Sequence, residues 1–258
     1  MNKAMHHCLG LILALLAVCT LRAQEYKATV ENSRDAKLIL KDFTGELPIE
    51  GYAGSEIVIT GGPDMTMPDR AKGLKPVYSG GPDNTGIGLN MEKSGNQISI
   101  TCLLPFNKRA EYRIKVPDNL YLKITSGCEY HNSVNISNMK NEVEVNICSG
   151  ITVKNSTGPL VLSTINGEVD VVFNEISKDK PTSIASINGE IDVTLPAKSA
   201  VNLEMRNMQG GMYSDFDFPS DDKQMKRVGG GAVNARLNGG GVGLKVTSIN
   251  GNIYLRKK

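Results

Sequence analysis

The chain contains no tryptophan, and aromatic residues make up only 5% of its 258 positions. A bulky aromatic core is excluded; Val, Ile and Leu must fill the interior, which suits thin stacked layers. Histidine is just as scarce. His131 is the only one beyond the first seven residues. Any Ser-His-Asp or Cys-His arrangement would have to be built on it, and nothing nearby resembles a nucleophile elbow, so His131 reads as a satisfied surface side chain. Helical periodicity is missing almost throughout. Beyond the N-terminal segment no apolar run is long enough to span a membrane.

That segment, MNKAMHHCLGLILALLAVCTLRAQ, has a short basic start at Lys3, an apolar run from Leu9 to Leu21 and a cleavage position after Ala23. It reads as a secretory signal over residues 1–23, leaving 24–258 as the mature chain. A retained anchor helix ranks lower because the run is short for a span. Acylation at Cys19, giving an outer-membrane lipoprotein, also ranks below simple cleavage, because Val18 is bulkier than the residue such a site usually has there. Without Lys3 and Arg22, the 29 basic side chains fall to 27, equal to the 27 acidic ones. A neutral exported chain has no basic stripe to track phosphates, so nucleic acid is not expected as a partner. The terminal LRKK reads as solvated.

What the chain has in quantity is repetition. SINGEIDVTLP, from Ser186 to Pro196, nearly copies TINGEVDVVF, from Thr164 to Phe173, and the opening returns in SINGNIYLRKK at the C-terminus. From Ile165 to Ile187 is 22 residues, and from Ile187 to Ile249 is 62, near three slightly shorter units. The copies align into columns: Ile165, Ile187 and Ile249; Asn166, Asn188 and Asn250; Gly167, Gly189 and Gly251. Val169, Ile191 and Ile253 follow, then Val171, Val193 and Leu255. A period of two argues strands with one buried face.

Degenerate copies, SNMKNEVEV at Ser137 and FTGELPI at Phe43, extend the array. Shorter runs such as KLILK, EIVIT, ITVK and PLVLS lie between, so strand signals recur about every ten residues. Two all-β architectures fit: a parallel β-solenoid with stacked coils of about 20–22 residues, and an antiparallel β-sandwich. An Asn-Gly between apolar runs is ordinarily a hairpin signal. Its return at one offset favours the solenoid, in which each coil buries its apolar face by stacking on its neighbours. The Asn-Gly pair is then expected to turn the chain in a left-handed conformation at a coil corner, with amides bonding up the column and the flanking Ile and Val filling the layer.

GELPIEGYAGSEIVI, GLKPVYSGGPDNTGIGL, YRIKVPDNLYLKI, the paired INGE repeats ending in DVTLP and the terminal SINGNIYLRKK together resemble the bacterial putative-adhesin family, exported domains built from such repeats. The resemblance covers the whole mature chain. It implies a parallel β-solenoid in the cell envelope and carries no catalytic motif.

Residues from about 61 to 107 break the rhythm with Gly and Pro, an excursion suited to recognition or to capping an end of the stack within a single domain over 24–258. Asp170 and Asp192 share a column, as do Glu168 and Glu190. Carboxylates about 5 Å apart would match a retaining glycosidase, though a ladder of like charge is commoner as a solvated face. The run VGGGAVNARLNGGGVG fits no phosphate loop and reads as turns. Cys102, Cys128 and Cys148 match no paired metal-ligand spacing, with or without His131. Cys128 and Cys148 lie 20 residues apart, about one coil, so they are placed on adjacent layers, where either a bridge or two buried thiols fits. Cys102 reads as a buried free thiol.

No catalytic, cofactor-binding or metal site is assigned. The expectation is a non-enzymatic, adhesin-like or scaffolding protein of the periplasm or cell surface that presents a solenoid face to an envelope protein or glycan. The alternatives are a polysaccharide-active enzyme on a β-helix and a periplasmic partner in envelope-stress signalling.

Overall fold

The computed structural model describes residues 24–63, 68–218 and 231–258. Residues 1–23, read above as a secretory signal and holding Cys8 and Cys19, lie outside the described residues. Twenty strands follow one another in this order. The first ten are β1 Glu25–Thr29, β2 Lys37–Lys41, β3 Gly45–Tyr52, β4 Glu56–Gly62, β5 Leu89–Ser94, β6 Gln97–Cys102, β7 Glu111–Pro117, β8 Tyr121–Thr125, β9 Asn132–Ser137 and β10 Val143–Ile147. The others are β11 Ile151–Ser156, β12 Leu160–Thr164, β13 Val169–Phe173, β14 Thr182–Ser186, β15 Ile191–Leu195, β16 Val201–Asn207, β17 Met212–Ser214, β18 Gly231–Leu237, β19 Val242–Ser248 and β20 Ile253–Lys257.

These strands make two ten-stranded sheets. Sheet A runs β1-β4-β7-β3-β9-β11-β13-β15-β20-β17, and sheet B runs β18-β16-β19-β14-β12-β10-β8-β2-β6-β5. From β6 to β17 the chain alternates strictly between sheets, so each pair of strands is one layer of a solenoid-like stack. Pairing is parallel through the middle. Antiparallel pairs, β1 with β4, β4 with β7, β5 with β6 and β16 with β18, are confined to the sheet ends. An antiparallel sandwich would have shown the reverse.

Alternation places the core between the sheets. In β13 (VDVVF), β15 (IDVTL) and β20 (IYLRK) the first and third residues are buried. The columns Val169, Ile191, Ile253 and Val171, Val193, Leu255 are each at most 1% exposed. Burial of each such side chain contributes about 1.5–3 kcal/mol. The preceding Ile column is different. Ile165 and Ile187 are 38% and 39% exposed and form a ridge on the outside of a corner, because the inward position there belongs to Thr164, Ser186 and Ser248.

One further expectation is corrected at this corner. Neither Asn166, Asn188 and Asn250 nor Gly167, Gly189 and Gly251 takes a positive φ, so the left-handed conformation is not why they are there. Gly189 is required by proximity: a Cβ on it would overlap the carbonyl of Gly167 in the layer beside it. The Asn column acts as expected, with Asn188 Nδ2 donating to Asn166 Oδ1 at 2.8 Å and Asn250 Nδ2 to Asn188 Oδ1 at 2.6 Å.

Layer lengths and order also depart from the regular 20–22-residue coil. Leu122 pairs with Val143, but Val143 pairs with Leu160, only 17 residues on. The last two strands are inserted: β19 lies between β14 and β16, and β20 between β15 and β17. The 62 residues from Ile187 to Ile249 are therefore a detour through β16, β17 and β18, and the two residues sit in neighbouring layers. At the opposite end the first layer, β2 with β3, is likewise interior.

The Gly/Pro excursion runs alongside that end. Between 68 and 88 it is irregular apart from a short 3-10 turn at Asp69–Ala71, and it rejoins sheet B sooner than expected, as β5 and β6. Ile87 is buried, and its carbonyl accepts from the Tyr112 hydroxyl at 2.7 Å. Burial alone would raise the Asp83 carboxyl, yet the N–H groups of Gly88, Gly86 and Thr85 hold it below the ordinary carboxylate value.

Candidate functional site

Strand alternation turns a second set of side chains outward on sheet A. Pro48, Asn135 and Thr152, on β3, β9 and β11, lie in one row. Asp170 and Asp192, on β13 and β15, continue it, followed by Tyr254 and Tyr213 on β20 and β17. A second row carries Lys115, Glu50, Ser137 and Lys154. Parallel neighbours stand about 4.8 Å apart, so short side chains in a row leave a trough between long ones.

Over β3, β7, β9 and β11 that trough is a groove of about 540 Å³. Pro48, Asn135, Ser137 and Thr152 are its short side chains, and Arg113, Lys115, Lys154 and Glu50 its long ones. A second depression of about 330 Å³ continues past Pro48 and Arg113 to Arg109, Glu46 and Glu111. Glu50 is paired with Lys115 at 3.2 Å, and Glu46 accepts from Asn135 Nδ2 at 2.6 Å. Among the described residues Arg113 and Lys154 have no ion-pair partner, and the groove lining carries a surplus of positive charge.

The carboxylate column is brought together as its spacing implies, with Asp170 and Asp192 directly paired across β13 and β15. They are not equivalent. Both oxygens of Asp192 accept from Arg256 Nε at 2.8 Å, and Oδ2 also pairs with Nη2 at 2.7 Å. Among the described residues Asp170 has no such partner. Burial, then the charge of Asp192, raise its carboxyl above the usual value, while Lys154 pulls the other way. Asp170 is exposed and Asp192 half-buried under a guanidinium, both on the open outer face of the sheet. Glu190 accepts from Asn252 Nδ2 at 2.8 Å and from the Tyr254 hydroxyl at 3.3 Å. Tyr213 stacks on Tyr254, with ring centroids 5.4 Å apart.

The three cysteines among the described residues fall into two environments. Cys128, on the short turn Cys128–Tyr130 before β9, is bonded to Cys148, after β10, with Cα atoms 5.0 Å apart. This resolves the open alternative in favour of the bridge. The Cys148 carbonyl accepts from the N–H of Asn166, so the bridge joins the corner where the Asn ladder begins. Cys102 is free and buried, and burial pushes its thiol up to about 11. His131 is exposed and caps the turn with a φ of 36°. Among the described residues no three His, Cys, Asp or Glu side chains gather as metal ligands.

Sequence reasoning did not single out Arg113, Lys154 or the groove between them. The outward Arg113 and Lys115 alternate visibly in EYRIKVP, but Pro48 and Arg113 meet only through the pairing of β3 with β7.

No protein-family model matches the chain, and no curated protein matches it. Solved structures do. A "putative cell adhesion protein" from Clostridium sporogenes shares 15% identity at a TM-score of 0.49, covering 92% of this chain and 100% of that one. A "putative adhesin" from Bacteroides fragilis shares 12% identity at 0.34, covering 91% and 96%. Another from Parabacteroides merdae shares 11% at 0.30, covering 93% and 98%. Over more than nine-tenths of its length, the chain is structurally similar to bacterial proteins described in those words.

Proposed function

We propose that the chain is an exported, non-enzymatic β-solenoid of the cell envelope that holds the outer face of sheet A against an envelope protein or glycan. Residues 1–23 act as the export signal, and 24–258 work as one unit in the periplasm or at the cell surface. The Cys128–Cys148 bridge supports an oxidising compartment. The observation that carries the reading is the groove over β3, β7, β9 and β11, an open polar trough on a rigid sheet. Recognition needs this: groups held in fixed register at little entropic cost. The non-enzymatic part of the reading is supported by the setting of the carboxylate column, where Asp170 and Asp192 stand on the open outer face of the sheet.

The test is co-sedimentation of the purified chain with envelope fractions. Thr152→Trp fills the groove, whereas Ser163→Trp places the same ring on the outer face of sheet B. The wild type and the Ser163 variant are expected to pellet and the Thr152 variant to stay in solution. Equal pelleting of both variants, or none by the wild type, overturns the reading. Release of new reducing ends from envelope polysaccharide, abolished by Asp170→Asn, would overturn the non-enzymatic part.

A further inference from the structure

We infer that the sheet A groove is a binding site for an acidic polysaccharide, one that carries carboxylate or phosphate groups at intervals along its backbone. The inference rests on the reading of sheet A as the binding face and adds the chemistry of what lies there.

Charge comes first. Arg113, Lys115 and Lys154 line the groove against the single acid Glu50, and Glu50 is already held by Lys115 at 3.2 Å. Of the three cations that line the groove, Arg113 on β7 and Lys154 on β11 are exposed and have no ion-pair partner among the described residues. The strands between them, β3 and β9, set them three steps apart across the sheet, about 14 Å at 4.8 Å per step, and Lys154 lies two residues further along the strands than the row of Arg113. One small anion reaches only one of them. A polymer with repeated anionic groups reaches both, and a guanidinium and an ammonium each form charge-assisted hydrogen bonds to carboxylate or phosphate oxygens.

The floor decides between polymers. Between the cations lie Pro48, Asn135, Ser137 and Thr152: an apolar ring, an amide and two hydroxyls. Such a surface donates and accepts hydrogen bonds to sugar hydroxyls along an open trough. It has no enclosed apolar pocket for the side chains of an acidic peptide, as peptide-binding grooves do. Immediately beyond β11, Asp170, Asp192 and Glu190, on and beside β13 and β15, reverse the sign, which confines a polyanion to the β7–β11 end.

The experiment is affinity electrophoresis of the full chain through gels holding polygalacturonate, a phosphomannan, neutral dextran or polyglutamate. Retardation is expected with at least one of the two acidic polysaccharides, weakening as salt rises, because exposed ionic contacts are screened. Dextran and polyglutamate are expected to leave mobility unchanged. The double variant Arg113→Gln, Lys154→Gln is expected to raise the apparent Kd about tenfold, the combined loss of two exposed charge contacts. Arg206→Gln, Lys245→Gln, on the outer face of sheet B, removes the same net charge and is expected to stay near wild type. Both variants replace exposed side chains, and unchanged melting confirms the fold.

Which acidic polymer retards the chain separates a carboxylate source from a phosphate source. The inference is overturned if neither does, if polyglutamate or dextran retards equally, or if the sheet B variant loses as much as the groove variant. Should the Thr152→Trp chain lose envelope pelleting while no acidic polysaccharide binds, the binding face stands and its chemistry falls. Should the wild type not pellet at all, the face itself is lost.

Discussion

Asn188 bonds Asn166 in one neighbouring layer and Asn250 in the other, through its Nδ2 and Oδ1 respectively. The three amides form one continuous line, although 62 residues of chain separate the second from the third. Asn188→Ala removes a donor and an acceptor from an exposed position. The expected cost is about 1 kcal/mol per chain, read by urea denaturation. An unchanged midpoint would mean that water serves these amides equally well.

Glycine serves two purposes here, and one pair of substitutions separates them. Gly189 has an ordinary φ but no room for a Cβ beside the Gly167 backbone, whereas Gly95 has a φ of +58° and open space. Gly95→Ala should cost about 1–2 kcal/mol, the strain of the left-handed region. Gly189→Ala must push two layers apart, and its loss of stability should be the larger. The reverse order of melting temperatures would sink the close-contact account.

The core register is tested by two isoleucines in one repeat. Ile191 is fully buried, so Ile191→Asp strands a carboxylate between the sheets at a cost of several kcal/mol. Ile187 is 39% exposed, and Ile187→Asp should keep the cooperative melt of the wild type. Comparable damage from both would place the corner ridge inside the core.

These residues also show how far the sequence could be read. Columns such as Val169, Ile191 and Ile253 were legible because stacking demands the same residue type in each layer. Ile187 looked like part of that set because period-two alternation does not mark where a strand ends and a corner begins. The inserted final layer was hidden by arithmetic, since a 62-residue interval divides as readily into three coils as into a detour. The groove was hidden for another reason: Pro48, Arg113, Asn135 and Lys154 are single outward residues on separate strands, and only pairing makes them neighbours.

For the thiols, the chain from residue 24 onward should show one free sulfhydryl when denatured without reductant, namely Cys102. In the native state it should resist alkylation. Burial raises its pKa from 9.0 to about 11, so folding favours the protonated form. That contribution is full below pH 9 and is lost as pH climbs through about 11; Cys102→Ala should flatten this alkaline decline. Rapid native labelling would contradict the burial.

Asp170 gives the acid counterpart. Its carboxyl is raised from 3.8 by burial and then by Asp192. Its contribution to stability is therefore most favourable below that value and is lost as pH rises through the folded one. Asp170→Asn should raise the melting temperature at pH 7 and change it little near pH 3. A neutral-pH loss would show that the ionised form is the one the fold prefers.

Because β19 and β20 sit between layers made earlier in the chain, the stack cannot close in the order in which it is synthesised. Residues 242–257 separate β14 and β15 from β16 and β17, so a nascent or truncated chain that lacks them exposes two unmated layer surfaces. Completion waits for the last segment to arrive, and long-range pairing of this kind is slow to form. Residues 242–257 thus work as a latch: the stack reaches its final shape only once they are in place, and a chain cut short of them is left open to proteolysis.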